Sequence, residues 1–227
     1  MFLEGLNSEL TGICTLSAEQ GRRLFAHYEL LKKWNQVVNL TRIDELGEAI
    51  ERHYCEALFL AAQLPAGRLS IADIGSGGGF PGIPVAVLRP DCQVTLIESH
   101  QRKAVFLKEA TRDLANVRVL AKRAEDVDGS FDWGVARAVR WKDISWILGR
   151  LVTSVALLSG EATGAEFNAA SSVSATPSLD RPGRHFQSSL NPEGIKLPWG
   201  RQRFLWMFHV KQESELESGS RSTARFT

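Results

Sequence analysis

Leu69-Ser70-Ile71-Ala72-Asp73-Ile74-Gly75-Ser76-Gly77-Gly78-Gly79-Phe80-Pro81-Gly82 is the stretch that decides the fold of this chain. An apolar run of strand length, Leu69 to Ile74, stops on a cluster of glycines, and a helical pattern opens beyond them. Outward from it the rhythm repeats: Gln93 to Glu98 then helix, Val117 to Ala121, Asp132 to Arg137 then helix, and Val152 to Leu158. Repeated β-α units predict an α/β protein, a doubly wound, mostly parallel sheet of the Rossmann-like type with helices on both faces. Upstream, Ser17-Ala18-Glu19-Gln20 has capping-box spacing, and Leu24, Tyr28, Leu31 and Val38 follow at helical intervals, so residues 17–36 read as an amphipathic helix. A second begins near Asp44 with Leu46, Ile50, Tyr54 and Leu58 on one face. Downstream, strands near Arg184 to Ser188 and Arg203 to Val210 flank the turn signal Asn191-Pro192-Glu193-Gly194, which predicts an antiparallel hairpin on the sheet edge. Gly160 to Gly183, rich in Ala, Ser, Gly and Thr, reads as a connection, and Glu213 to Thr227 as a disordered tail. The expected organisation is a helical extension over 1–64, a sheet domain over 65–212 and the tail over 213–227.

The 227 residues are 44% hydrophobic and 23% charged, enough to bury a full core and incompatible with collagen-like, disordered or disulfide-scaffold classes. The beginning, Met1-Phe2-Leu3-Glu4-Gly5, lacks a basic region followed by an apolar one, and the expectation is a soluble, cytoplasmic protein. Cys14, Cys55 and Cys92 are odd in number and far apart, which fits reduced thiols rather than bridges or a metal pair, and the five histidines form no ligand-spaced cluster. The expected metal content is none. Charge is uneven: residues 1–60 carry six Lys/Arg against nine Asp/Glu, residues 100–150 eleven against seven, and residues 180–211 six against two. The two basic segments suit a phosphate-facing surface.

A glycine bend after a first strand lets a ligand approach the backbone closely, and the helix beyond it offers free N–H groups to an anion. Gly77-x-Gly79-x-x-Gly82 formally matches a dinucleotide fingerprint, so that motif leaves two cofactor classes open. The series starting at Gly75, just after Asp73, has the acidic-x-Gly-x-Gly-x-Gly form that resembles the first motif of S-adenosylmethionine methyltransferases. Glu98, closing the second strand, can accept hydrogen bonds from both ribose hydroxyls of either cofactor.

Asn39-Leu40-Thr41, Arg52-His53-Tyr54, Asp73 to Gly82 with its Phe-Pro-Gly-Ile-Pro continuation, Arg102-Lys103 with Phe106-Leu107, and Arg137-Ala138 together resemble the glucose-inhibited division protein B family, also called RsmG, across residues 25–150. Leu197-Pro198 with Arg203 to Lys211 is similar to its closing strand. The resemblance implies methylation of N7 of a guanine in 16S ribosomal RNA with S-adenosyl-L-methionine as donor. It implies a cofactor site at Gly75 and Phe80 of the turn, at Ala124 and Glu125 after the third strand, and at Arg137 after the fourth, beside Gly77, Gly79 and Glu98, which the turn and the second strand themselves suggest. Glu56 stands where the family shows an aspartate, and Leu158-Ser159-Gly160 lacks the lysine the family tends to place before that glycine.

Guanine N7 carries a lone pair at neutral pH, so no general base is expected and no catalytic side chain is assigned. In agreement, Val135-Ala136-Arg137-Ala138-Val139-Arg140 lacks the Asn/Asp-Pro-Pro-Tyr of amino-group methyltransferases. Substrate contacts are expected from Arg102, Lys103 and Arg140, with Trp141 as a neighbouring aromatic face, and from Asn39, Arg42 and His53 on the N-terminal side. The expected partner is 16S ribosomal RNA or the small ribosomal subunit, with no membrane, and the chain is expected to act as a monomer. Rival readings are a small-molecule methyltransferase, an NAD-dependent oxidoreductase, and a non-catalytic RNA-binding assembly module.

Overall fold

The computed structural model describes residues 1–160 and 193–209. The N-terminal half supplies α1 (Phe2–Glu9), α2 (Ala18–Asn35), α3 (Leu46–Ala49), a π-helical turn (Ile50–Cys55) and α4 (Glu56–Gln63). Then come β1 (Ser70–Ile74), α5 (Gly82–Leu88), β2 (Gln93–Ile97), α6 (Gln101–Ala110), β3 (Val117–Leu120), β4 (Phe131–Arg137), α7 (Trp141–Ile144), β5 (Val152–Gly160), β6 (Glu193–Lys196) and β7 (Arg203–His209). The seven strands run in the order β3-β2-β1-β4-β5-β7-β6. β1 to β5 are parallel, and β7 is antiparallel to both β5 and β6. This is the doubly wound α/β sheet that the repeated β-α pattern predicts, with an antiparallel edge.

The strand period of two sorts side chains into two cores. Ile71, Val135, Ala156 and Leu158 face one cluster, while Ala72, Ile74, Ala136, Val155 and Leu157 face the other. The first face is covered by α1, α2, α4, α5 and α6, since Phe2, Leu6, Leu24, Leu31, Leu58, Val85 and Phe106 all sit in that cluster. One continuous core thus joins the N-terminal helices to the sheet. The opposite face is covered by Trp141 and Ile144 of α7, together with Val127, Ile147 and Leu151.

Ser17 caps α2 reciprocally with Gln20, whose amide also donates to Val87 of α5 at 3.0 Å, so the predicted capping box ties the extension to the sheet domain. One helix has no counterpart in the sequence pattern, and two expectations need correction. Phe2–Glu9 forms a helix that the sequence reading left unassigned; eight residues fall short of autonomous stability, and burial of Phe2 and Leu6 holds them. Glu193 and Gly194, expected in the hairpin turn, lie in β6, and the chain turns instead between Lys196 and Arg203. The Trp206 ring decides this: a Cβ on Gly194 would come within 2.5 Å of it, so the glycine lets the ring lie over the strand rather than making a bend. Trp141, expected beside Arg140 as an exposed stacking face, is buried edge-on against Phe208 at 4.5 Å. The strand at Arg184 to Ser188, the connection from residue 161 to Gly183, and the tail Glu213 to Thr227 lie outside the described residues.

Candidate active site

Strand order reverses between β1 and β4, which puts a crevice beyond their carboxyl ends, the ligand position of open α/β sheets. The glycine bend after β1 forms one lip and Arg137, the last residue of β4, the other. Gly75, Gly77 and Gly79 all have positive φ, at +71°, +55° and +88°. The Gly75 and Ser76 amides donate to the Ile97 carbonyl at 2.9 and 3.2 Å, so the bend folds over the end of β2. A Cβ on Gly77 would meet only the Gly75 carbonyl oxygen, at 3.8 Å, so the bend is bare toward the crevice there.

Gly82 shows the opposite requirement. A Cβ there would fall 2.3 Å from Leu96 and 2.5 Å from the Asp73 carboxylate, because Asp73 reaches across the bend to accept the Gly82 N–H at 3.0 Å. The acidic residue of the motif is therefore a fully buried anchor for the start of α5. Burial pushes its carboxyl up to about 7, opposed by the hydrogen bond from Gly82, and its second oxygen has no partner. The expectation that α5 presents its N-terminus directly to a ligand is corrected: α5 starts only at Gly82, whose N–H Asp73 occupies, and Gly79 and Phe80 donate to Ser76 in a turn between.

Glu98 is buried and turned into the bend, accepting from the Gly77 amide at 2.9 Å and the His100 amide at 2.7 Å. Those bonds use two of roughly four lone-pair directions of a carboxylate, leaving capacity for hydroxyl donors. Ala124 and Glu125 begin a 3-10 turn, Ala124–Asp126, after β3; Glu125 is exposed and its carbonyl accepts from Arg150 at 2.6 Å.

Phe80 is buried, so its ring supports the bend from below rather than facing the crevice. It stacks on His53 at 4.5 Å and packs against His27 and Tyr54 at 5.1 Å each, with the Arg137 guanidinium 5.5 Å from its centroid. Arg137 donates to the Arg52 carbonyl, in the π-helical turn, where the i→i+5 pattern loosens the backbone ladder. Burial draws the Arg137 guanidinium down to about 10, which leaves it charged at neutral pH. Ala138, next in chain, is held at φ +56°, a strained conformation at the lip of the crevice.

His53, expected to contact substrate, is 1% exposed. Its Nε2 lies 2.8 Å from the Thr41 hydroxyl, its Nδ1 has no partner, and burial followed by the Arg137 charge drives its pKa down to about 2. A neutral ring enclosed between Thr41 and Phe80 makes no direct contact with a base in solution. Asn39 and Arg42 are exposed on the segment after α2, which Asn35 shapes by accepting from the Leu40 and Thr41 amides at 2.9 and 3.0 Å. Arg102 is exposed and Lys103 half-buried on α6, and exposed Arg140 pairs with Asp143 at 2.7 Å.

Two supports were missed by sequence reasoning. Glu56 is fully buried and forms a two-pronged ion pair with Arg203 of β7, at 2.9 and 2.6 Å, so the departure from the family's aspartate reaches a strand rather than the crevice. A charged residue amid Tyr54, Ala57 and Leu58 was the available signal. His27 of α2 bonds the glycine bend itself, lying 3.0 Å from the Gly78 carbonyl. Its place on the apolar face with Leu24, Tyr28 and Leu31 gave no sign of that partner. Among the described residues no group of three or more His, Cys, Asp or Glu gathers as metal ligands, and no helix is long and apolar enough to cross a membrane.

A sheet of this order, with a glycine bend after β1 and an acidic residue closing β2, has the fold of the Rossmann-like methyltransferases. A ribosomal protein L11 methylase from Lactobacillus delbrueckii superposes with a TM-score of 0.52 at 16% identity, over 68% of this chain and 77% of that one. The 23S rRNA methyltransferase ErmE gives 0.50 at 12%, over 69% and 68%. The profile of the GidB family, rRNA small subunit methyltransferase G, matches residues 20–175, and the chain belongs to that family. Ribosomal RNA small subunit methyltransferase G of Leptothrix cholodnii is 38% identical over 132 residues, covering 55% of this chain and 61% of the relative. The proteins of that name from Mycoplasma capricolum and Xanthomonas campestris are 39% and 42% identical over 140 and 129 residues, covering 60% and 55% of this chain. The chain spans 60–61% of the length of these curated relatives.

Proposed function

We propose that this chain binds S-adenosyl-L-methionine in the crevice between β1 and β4 and methylates N7 of a guanine in 16S ribosomal RNA, in the cytoplasm and as a monomer. The observation that carries the reading is the bare, positive-φ backbone at Gly77, tied to the Glu98 carboxylate at the switch point of the sheet. The residues fit such a donor: Gly75, Gly77 and Gly79 shape the backbone that would approach its methionine end, Glu98 keeps acceptor capacity for ribose hydroxyls, and Ala124 and Glu125 would border the adenine. Once bound, the donor supplies an electrophilic methyl group on a sulfonium.

The chain's own part is positioning and exclusion of water. Guanine N7 is unprotonated at neutral pH, so no side chain need remove a proton. Arg137, a charged fork at the lip, suits the guanine O6 edge or a carboxylate; a bond to N7 itself would block the attacking lone pair. Phe80, and through it His53, keeps the bend and Arg137 in register. Asn39, Arg42, Arg102, Lys103 and Arg140 are the exposed or half-buried polar groups we assign to RNA.

The test is to incubate the protein with radiolabelled S-adenosylmethionine and unmodified bacterial ribosomal RNA or small subunits, then map the label. Label at guanine N7 of the small-subunit RNA is expected. Label on an exocyclic amine or a pyrimidine carbon, or none at all, refutes the assignment.

A further inference from the structure

Resting on the reading above, we infer that His27 and Tyr54 form a positioning relay that sets the donor-binding bend from the N-terminal helices. A carbonyl can only accept, so the 3.0 Å contact with Gly78 requires the proton on Nε2 of His27. The ring is 3% exposed, and burial, its dominant influence, lowers its pKa to about 4, so it is neutral and Nδ1 must accept. The Tyr54 hydroxyl, 2.9 Å from Nδ1, is then the donor. Tyr54 is itself fully buried, so this hydroxyl is not exchanging partners with water. The hydroxyl thereby selects the tautomer that reaches the bend.

The consequence lies in which peptide is held. The Gly78 carbonyl and the Gly79 N–H belong to one peptide plane. Its oxygen is fixed by His27 and its N–H by the Ser76 carbonyl at 2.7 Å. On the other side of Gly77, the Gly77 N–H is fixed by Glu98 at 2.9 Å. Gly77, which like Gly75 has open space at its Cβ, lies with Gly78 between an acid at the end of β2 and an imidazole from α2. With the wrong tautomer, a lone pair on Nε2 would face the Gly78 oxygen and push that peptide out of plane. His27 and Tyr54 also flank Phe80, so the plane and the ring beneath it move together.

Three variants separate positioning from mere packing. Tyr54→Phe keeps the ring and frees the tautomer; His27→Phe keeps an aromatic of similar shape and removes both bonds; His27→Gln places an amide N–H near the Nε2 position and has no use for the tyrosine. Affinity for S-adenosylhomocysteine by calorimetry should fall about fivefold in Tyr54→Phe, the equivalent of one neutral hydrogen bond, and about tenfold or more in His27→Phe. In His27→Gln it should return to within about twofold, and adding Tyr54→Phe to His27→Gln should change it no further. Ligand-free readouts accompany these: ¹⁵N shifts of His27 should show a pyrrole-type Nε2 and a pyridine-type Nδ1, and amide exchange at Gly77 to Gly79 should quicken in His27→Phe relative to β1 and recover in His27→Gln. Lowered melting temperatures with unchanged affinity and unchanged exchange in the bend would reduce both residues to core packing and overturn the inference. If the wild-type chain binds no S-adenosylhomocysteine, the proposed function falls, and the exchange and ¹⁵N results alone decide whether the relay holds the bend.

Discussion

Replacing Gly77 and Gly82 by alanine, one at a time, should produce opposite pairs of effects from the same added methyl group. At Gly77 the Cβ enters open space, its nearest neighbour the Gly75 oxygen at 3.8 Å, and the cost to folding is the left-handed conformation at φ +55°, about 1–2 kcal/mol. At Gly82 the Cβ would sit 2.3 Å from Leu96 and 2.5 Å from Asp73, so the carboxylate must leave the Gly82 N–H. Overpacking of about 1–3 kcal/mol and a charge-assisted hydrogen bond of about 1.5–3 kcal/mol then add, for a loss of about 2.5–6 kcal/mol. For a chain of this size each kcal/mol lowers the melting temperature by about 2–4 °C, so Gly77→Ala should lose only a few degrees and Gly82→Ala roughly 10 °C or more. Donor affinity should run the other way, with Gly77→Ala weakening S-adenosylhomocysteine at least about tenfold because the methyl occupies the space a ligand would share with the backbone. Calorimetry and thermal denaturation on the same samples decide it. Unchanged affinity in Gly77→Ala would refute a ligand-facing bend, and an unchanged melting temperature in Gly82→Ala would refute the Asp73 anchor.

Glu56→Gln or Arg203→Met alone strands a buried charge and should cost about 3–5 kcal/mol in urea unfolding, while the double variant should recover much of that; a loss in the double variant equal to the two single losses added together would mean the pair is not coupled. Between about pH 6.5 and 4 the unfolded chain protonates a histidine that folded His27 leaves neutral, so acidification through that window removes stability; Asp73, raised to about 7 by burial, works in the opposite sense between about 3.8 and 7. Subtracting the stability curve of His27→Gln from that of the wild type cancels Asp73 and should leave a difference constant above pH 6.5 and shrinking toward pH 4; a difference flat throughout would show that the ring is not held neutral. Arg102→Gln with Lys103→Gln should lower the slope of log affinity for ribosomal RNA against log salt by about 1.5, and an unaltered slope would remove α6 from the RNA surface.

Residues 69–82 by themselves determined most of the architecture. A strand, a glycine cluster and a helix in succession leave a parallel β-α sheet with a bend at its carboxyl edge, because local backbone freedom and hydrophobic period are short-range properties written in consecutive residues. Which of the glycines leaves open space could not be read that way: Gly75 and Gly77 do, while a Cβ on Gly79 would meet Ile83 at 2.4 Å. Nor could what holds the bend. His27, Tyr54 and Glu98 come from three separate elements and meet the glycines only after α2 and the π-helical turn pack on the sheet, and neither a histidine nor a tyrosine on a helix shows in sequence whether it faces a carbonyl or a solvent shell. Asp73 looked like part of a ligand motif and proved to be the buried tether of α5, since a carboxylate's role depends on which N–H lies within 3 Å of it. Asn191-Pro192-Glu193-Gly194 predicts a turn, whereas Gly194 lies in β6 where only a missing side chain leaves room for the Trp206 ring. In each case the deciding partner lies across space rather than along the chain, and only burial makes an unsatisfied polar group or a missing cubic ångström costly enough to choose it.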